Sequence, residues 1–292
     1  DDLNVQFDYF TENRSNILMP RAYIPSTAGY EAPISANIGE AVGHGCEVAV
    51  QYNHSFANGM WILGNGNFTY ATSEYKFYEE PDYADTPWLS HKGRSLGQVY
   101  GYVAERLFVD DAEVANSPLQ NFGGNVPTQA GDIKYKDING DGVIDEKDRT
   151  NIGSPLPKFT FGFNNTFRYK NFDLNIFING SVGNKVGNYM KMKLTHMNSP
   201  WQNQLVDCGN HALLAPKNGQ AVDNWYYDAS NVIVTNPDCA YPRASINDPS
   251  DNDVWSDRFI EDGSYLRLKS ITLGYTFDKQ LIKKLGLTNL RL

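Results

Sequence analysis

The tightest constraint on this chain is a two-residue period held over segments longer than a globular strand needs. Phe159, Phe161, Phe163, Phe167 and Tyr169 alternate with Thr160, Gly162, Asn164, Thr166 and Arg168. Lys170-Asn171 makes a tight turn. Phe172, Leu174, Ile176 and Ile178 then alternate with Asp173, Asn175, Phe177 and Asn179. Side chains of a strand point alternately to its two faces, so this is a hairpin with one apolar and one wet face. The same grammar appears in Leu3, Val5, Phe7 and Tyr9, and in Cys46, Val48, Val50 and Tyr52. It recurs in Ile62, Gly64, Gly66, Phe68 and Tyr70, and in Ile271, Leu273, Tyr275 and Phe277. Strands of about 10–14 residues exceed the usual five or six and match what a tilted strand needs to cross a bilayer.

The alternation predicts strands near 3–10, 15–24, 44–54, 60–74, 158–169, 172–184, 264–277 and 289–292. Short connections are expected at 11–16, 54–59, 170–171 and 278–288. Two long ones are expected, about 76–157 and about 186–263. Connections of that length are foreign to a compact soluble domain, whereas an outer-membrane barrel joins its strands by short periplasmic turns and long outer loops. The long segments hold 24 of the 34 acidic residues. The predicted fold class is all-β, part of a large antiparallel transmembrane β-barrel. The rival reading is a soluble, secreted β-rich glycan-binding protein, in which Phe159, Phe161, Ile176 and Leu273 face a protein core.

Composition excludes other classes. Aromatics make up 13% of the residues, charged residues only 20%, and the net charge is −9. An acidic chain is a poor partner for nucleic acid. No run approaches the roughly 20 apolar residues of a membrane-spanning helix. The chain begins and ends in strand grammar, which reads as part of a longer polypeptide.

The sharpest local motif is Asp137-Ile138-Asn139-Gly140-Asp141-Gly142-Val143-Ile144-Asp145-Glu146-Lys147-Asp148. It places oxygens at positions 1, 3 and 5, a glycine at 6 and a backbone carbonyl at 7, which is calcium-loop spacing. Asp137, Asn139, Asp141, Val143, Asp145 and Asp148 are the expected ligands of a structural calcium ion. Position 12 is Asp rather than Glu, and the alternative is a solvated acidic turn. No catalytic motif is present, and no enzyme is predicted: G-x-S-x-G, H-E-x-x-H, C-x-x-C and the Walker A loop are absent, and the five histidines are scattered. Acidic clusters offer no preferred pair for glycosidase chemistry. Cys208 and Cys239 lie in the same long segment, where an extracytoplasmic location permits a disulfide. Trp88, Tyr100, Tyr102, Trp201, Trp225 and Tyr226 are candidate substrate contacts by stacking, or else pack the loops together.

Several blocks carry a resemblance. Leu96-Gly97-Gln98-Val99-Tyr100-Gly101-Tyr102 is followed by Gly131-Asp132-Ile133-Lys134-Tyr135-Lys136-Asp137 and by Asn151-Ile152-Gly153-Ser154-Pro155-Leu156-Pro157. Phe259-Ile260-Glu261-Asp262-Gly263-Ser264-Tyr265-Leu266-Arg267 comes later, and Asn37-Ile38-Gly39-Glu40 lies upstream. In order and across nearly the whole chain, they resemble the SusC/RagA family of TonB-dependent outer-membrane transporters. The resemblance implies the C-terminal part of a 22-stranded barrel, whose N-terminal plug and TonB box have no counterpart in these residues. It further implies active import of oligosaccharides or peptides across a Bacteroidetes-type outer membrane. The partners it implies are TonB, membrane lipid and a SusD-like surface lipoprotein.

Overall fold

The structure, a computed structural model, describes residues 2–30, 32, 34–122, 128–198, 201–217, 232–245 and 252–292. Six long strands form one antiparallel sheet in chain order: β1 (Leu3–Pro20), β2 (Ser35–Ser55), β3 (Met60–Phe77), β4 (Phe159–Tyr169), β5 (Phe172–Val182) and β6 (Tyr265–Tyr275). Each strand pairs with its predecessor, so the sheet is a meander. Two tight turns close one end. Asn58-Gly59 uses Gly59 at φ +82°, a conformation open to glycine, and the Asn58 side chain accepts from the Met60 amide. Lys170 takes φ +53° in the two-residue turn between β4 and β5.

The first strands differ from the sequence expectation. No turn exists at 11–16, and the segments 3–10 and 15–24 are one strand ending at Pro20. The polar run Thr11-Glu12-Asn13-Arg14-Ser15-Asn16 reads as a loop, yet β2 starts at Ser35 and offers a partner all the way: Thr11 faces His44 and Arg14 faces Ala41. A register shift after Arg14, with Asn16 at φ +58°, absorbs the irregularity without reversing the chain. The 278–288 link contains a short helix, Lys279–Lys283, and returns Leu292 to pair with Tyr275.

The segments 78–158 and 183–264 leave from the same end of the sheet, opposite the tight turns. They fold together into a crown of short paired strands, among them Ala104–Leu107 with Ile133–Tyr135 and Leu214–Pro216 with Val232–Val234. Their core holds Tyr102, Leu107, Ile133, Tyr135, Ile144, Val232 and Val234. Residues from both segments fill it, which explains why neither reads as an independent domain. Asp132, wholly buried in the first segment, pairs with Arg243 of the second at 2.7 Å and also accepts from Asn252 at 3.0 Å and the Gln129 amide at 2.8 Å. The Ile133 amide in turn donates to Asn252 Oδ1 at 2.7 Å. A buried carboxylate needs such a complete set of donors.

Candidate functional site

Directly opposed residues of an antiparallel ladder share a face, so the register fixes each face of the sheet. One row runs Phe7, Val48, Phe68, Phe161, Gly180, Leu266 across all six strands. The next runs Val5, Val50, Gly66, Phe163, Ile178, Leu268. This face is predominantly apolar, interrupted by Asn165 between Gly64 and Ile176, and no second layer of described residues covers it: Phe7, Leu268, Ile271 and Leu273 are 64%, 55%, 59% and 67% exposed. Rings mark its limits. Tyr9, Tyr70 and Phe159 stand toward the crown, and Tyr169, Phe172 and Tyr275 toward the turns. The ten steps from Phe159 to Tyr169 span about 34 Å along the strand, or about 26 Å along a barrel axis at a tilt near 40°. That is the height of the apolar band of an outer-membrane barrel, with aromatic girdles in place.

The opposite face is wet. One row reads Asn4, Gln51, Asn65, Asn164, Phe177, Ser270, and its neighbour Gln6, Ala49, Asn67, Gly162, Asn179, Arg267. The amides brace one another: Gln51 donates to Asn65 at 3.1 Å, and Asn175 donates to Asn164 at 2.8 Å and to Thr166 at 2.9 Å. A face of this composition lines a water-filled or protein-filled interior, while the other meets lipid.

In the crown, residues 82–91 and 139–149 wall a cleft of about 820 Å³ lined by Tyr83, Asp85, His91, Tyr100, Glu146 and Arg149, among others. Its rear wall is stacked. The His91 ring lies 4.4 Å from Tyr78, nearly parallel, and 5.0 Å from Tyr100. Glu80 holds this wall by accepting from the Ser90 hydroxyl and the His91 amide. Burial pushes its carboxyl up, but these donors outweigh burial and hold it below the usual carboxylate range. Burial pushes the phenols of Tyr100 and Tyr102 up.

The candidate residues fall in different places. Tyr100 lines the cleft and donates to Ser90 O. Trp88 donates to Lys147 O at 2.7 Å, pinning the two cleft walls together. Tyr102 is buried in the crown core against Phe122 and Tyr135, so it packs and does not line a site. Trp201 is 93% exposed, away from that core. Trp225 and Tyr226 lie outside the described residues. Cys208 and Cys239 are free thiols: Cys208 is buried with its Sγ on Leu194 O, and Cys239 packs at the rim of the crown core. The possible disulfide between them is not formed.

The loop 137–148 is ordered by its own amides. Asp137 accepts from Gly140 and Gly142, Asn139 from Asp141, Asp141 from Val143, and Asp145 from Lys147. Gly140 and Gly142 adopt φ +75° and +84°, as the tight path requires. Asp148 is wholly buried, with Oδ1 on the amides of Ile138 and Asn139 and Oδ2 on that of Asp145. Both oxygens of the position-12 carboxylate are thus turned to the backbone. Among the described residues no three His, Cys, Asp or Glu side chains converge on a metal position. Val143 begins a two-residue strand beside Leu119.

The amide rows of the wet face escaped the sequence reading because alternation assigns a face but not a register. The Asp132, Arg243 and Asn252 cluster escaped it because Asp132 lies more than 100 positions from its two partners.

No protein-family model matches the chain. It is 29% identical to TonB-dependent receptor P3 of Formosa agariphila over 99% of its own length and 27% of that protein. It is 22% identical to TonB-dependent receptor SusC of Bacteroides thetaiotaomicron over 90% of its length and 23% of SusC. Among solved structures, the RagAB peptide transporter shares the fold at a TM-score of 0.63 and 14% identity, over 99% of this chain and 28% of that one. The RagAB importer in its closed-closed state gives 0.61 and 16% over the whole chain and 29% of its own. The chain therefore spans less than a third of the length of these relatives. Receptors and importers are not enzymes, in keeping with a sequence free of catalytic motifs. Similarity to these TonB-dependent receptors along nearly the whole sequence, and a fold shared with RagAB over the same span, support a section of a SusC/RagA-type TonB-dependent transporter.

Proposed function

We propose that this chain forms part of the wall and outer crown of an outer-membrane receptor that imports an oligosaccharide or a peptide. Import is energised through TonB and served by a SusD-like surface lipoprotein. No bond is made or broken: the crown and wet wall bind the cargo, and the apolar wall holds them in lipid. The crown faces outward and the tight turns face the periplasm, as loop asymmetry in such barrels dictates. The observation that carries this reading is the largely apolar face that runs over six strands, interrupted at Asn165, with a wet face behind it. The names of the relatives support the receptor class. A secreted soluble protein would bury Leu273 and Ile271, whereas both stand open. Membrane fractionation of the intact protein tests the proposal. It should require detergent for extraction, carry a surface lipoprotein with it, and lose uptake when TonB is deleted. Recovery in the soluble fraction without a lipoprotein would refute it.

Calcium at residues 137–148 is a second proposal, supported by the ligand register in the sequence. Asp137 carries one amide on each oxygen, and each oxygen keeps a lone pair for an ion. If calcium binds, millimolar calcium slows proteolysis of this loop and the substitution Asp141→Ala abolishes the effect; identical cleavage in calcium and chelator removes the ion.

A further inference from the structure

The two ends of the sheet differ in charge as well as in loop length. The crown end carries most of the acids. At the turn end, residues 165–175 and 271–292 hold six cations, Arg168, Lys170, Lys279, Lys283, Lys284 and Arg291, against two carboxylates, Asp173 and Asp278. Both carboxylates are already engaged. Arg291 forks onto Asp173, and the Asn171 side chain donates to Asp278 at 2.9 Å. Among the described residues, Lys170, Lys279, Lys283 and Lys284 form no ion pair.

These lysines stand at the aromatic limit of the apolar face. The Lys170 ammonium lies 5.3 Å from the ring centre of Tyr169, and Tyr169 shares its row with Phe172 and Tyr275. Leu292 pairs with Tyr275 and continues that row. A hollow of about 480 Å³ opens between the turn at 170–171 and the start of the 278–288 link, with Lys170, Phe172, Phe277 and Lys279 in its wall. Arg168 and Arg291 also line it, but Trp61 and Asp173 hold them. The link itself is amphipathic. Ile282 is buried, while Leu281 and Leu285, four positions apart, are 63% and 71% exposed beside Lys283 and Lys284. Bare leucines interleaved with lysines, next to a girdle of rings, are the composition of a segment lying in a membrane surface. The leucines enter the acyl boundary and the ammonium groups stay at the headgroups.

We infer that the turn end is a docking surface for an anionic phospholipid of the periplasmic leaflet. Lys170 and Lys279 take its phosphate in the hollow, and Phe172 and Phe277 lie along the upper part of its acyl chains. Lys283 and Lys284 draw further headgroups, and Leu281 and Leu285 dip below them. Ammonium groups above an apolar floor suit a phosphate joined to hydrocarbon better than a free phosphate ion, which gains nothing from the rings. A choline or ethanolamine headgroup brings its own cation against these lysines, so a headgroup with net negative charge is preferred. The inference rests on the outer-membrane reading and adds the lipid that the turn side selects.

The test uses the full-length receptor with its lipoprotein in uncharged detergent, titrated with fluorescently labelled phosphatidylglycerol and, separately, phosphatidylcholine. Phosphatidylglycerol should bind about tenfold more tightly. Lys170→Gln and Lys279→Gln should each weaken it about fivefold, the worth of one cation at an anionic surface, and together about twentyfold, with phosphatidylcholine unchanged. The double change to Arg should retain binding. Leu281→Ser with Leu285→Ser should weaken both lipids and leave the melting temperature in place, since both side chains are exposed. Equal affinity for the two lipids overturns the inference, as does phosphatidylglycerol binding untouched by the double Gln variant. Full displacement of the lipid by millimolar inorganic phosphate also overturns it, because the hollow then takes a free anion. A leucine variant with a lowered melting temperature and unchanged lipid binding does so too, because those side chains are then packed against another part of the receptor. None of these results touches the outer-membrane reading, which fails only on fractionation.

Discussion

The crown should come apart when Arg243 is replaced by Met. Asp132 is wholly buried and Arg243 nearly so, with 12% of its side chain exposed. Arg243 Nε meets one oxygen of Asp132 at 2.7 Å, and Nη2 approaches the other at 3.4 Å. Removing one partner of a buried pair costs about 3–5 kcal/mol, because the remaining charge is left without its counterion. The partial exposure of Arg243 and the surviving donors, Asn252 and the Gln129 amide, argue for the lower end, about 3 kcal/mol. The loss falls on the joint between segments 78–158 and 183–264, so it should appear as local opening of the crown with the sheet intact. Hydrogen exchange of the Ile133 and Tyr135 amides in the full protein reads it directly. Since about 1.4 kcal/mol is tenfold, protection there should fall about a hundredfold, while amides of β4 and β5 stay unchanged. The double variant Asp132→Leu with Arg243→Met removes both charges and should recover most of the loss. Unchanged protection in Arg243→Met would refute the claim that this pair ties the crown together.

Ile271→Arg, on the apolar face near mid-band, should cost about 2–4 kcal/mol of insertion free energy, while Thr272→Arg on the wet face should be tolerated; refolding of the full chain into lipid vesicles compares them. Asp148→Ala leaves three part-buried amides without their acceptor and should cost about 1–3 kcal/mol, seen as faster proteolysis across residues 137–148 whether or not calcium is present. The Glu80 carboxyl is held below its ordinary value, so its contribution is present above the unfolded pKa and is lost as pH falls through the folded one. Tyr78 and His91 ring resonances should therefore shift on acidification below the carboxylate range, and Glu80→Gln should produce the same shift at neutral pH.

The architecture was legible in the sequence where a local rule decided it. The runs at Phe159–Tyr169 and Phe172–Val182 name their faces by alternation, and Lys170-Asn171 places the turn. Local rules failed where a long-range partner decided the outcome. Thr11 to Asn16 has the composition of a turn and becomes strand because β2 extends far enough to pair with it. Tyr102 looked like a contact for substrate because it is an aromatic residue in a long loop, and it is buried because segments distant in sequence share one core.

That location of the core explains why so aromatic a chain is polar on average. In a soluble sandwich the inner faces of two sheets supply the core, and exposed apolar side chains occur singly. Here the largest fully buried side chains, Tyr135, Phe108 and Ile133, belong to the crown, and the six-stranded sheet adds little to that core. The sheet's apolar rows are complete in register but have no protein partner among the described residues. The hydrophobic effect can stabilise such a sheet only through an apolar solvent on one side. Backbone groups at its two edges, β1 and β6, must also be paired inside that solvent. The crown needs neither condition, since its ion pair and core are closed among its own residues. The two halves of the chain should therefore respond oppositely to transfer from lipid to water: exchange protection in the sheet is lost, and protection around Ile133 and Tyr135 persists. Simultaneous loss in both would mean that the crown depends on the barrel for its fold.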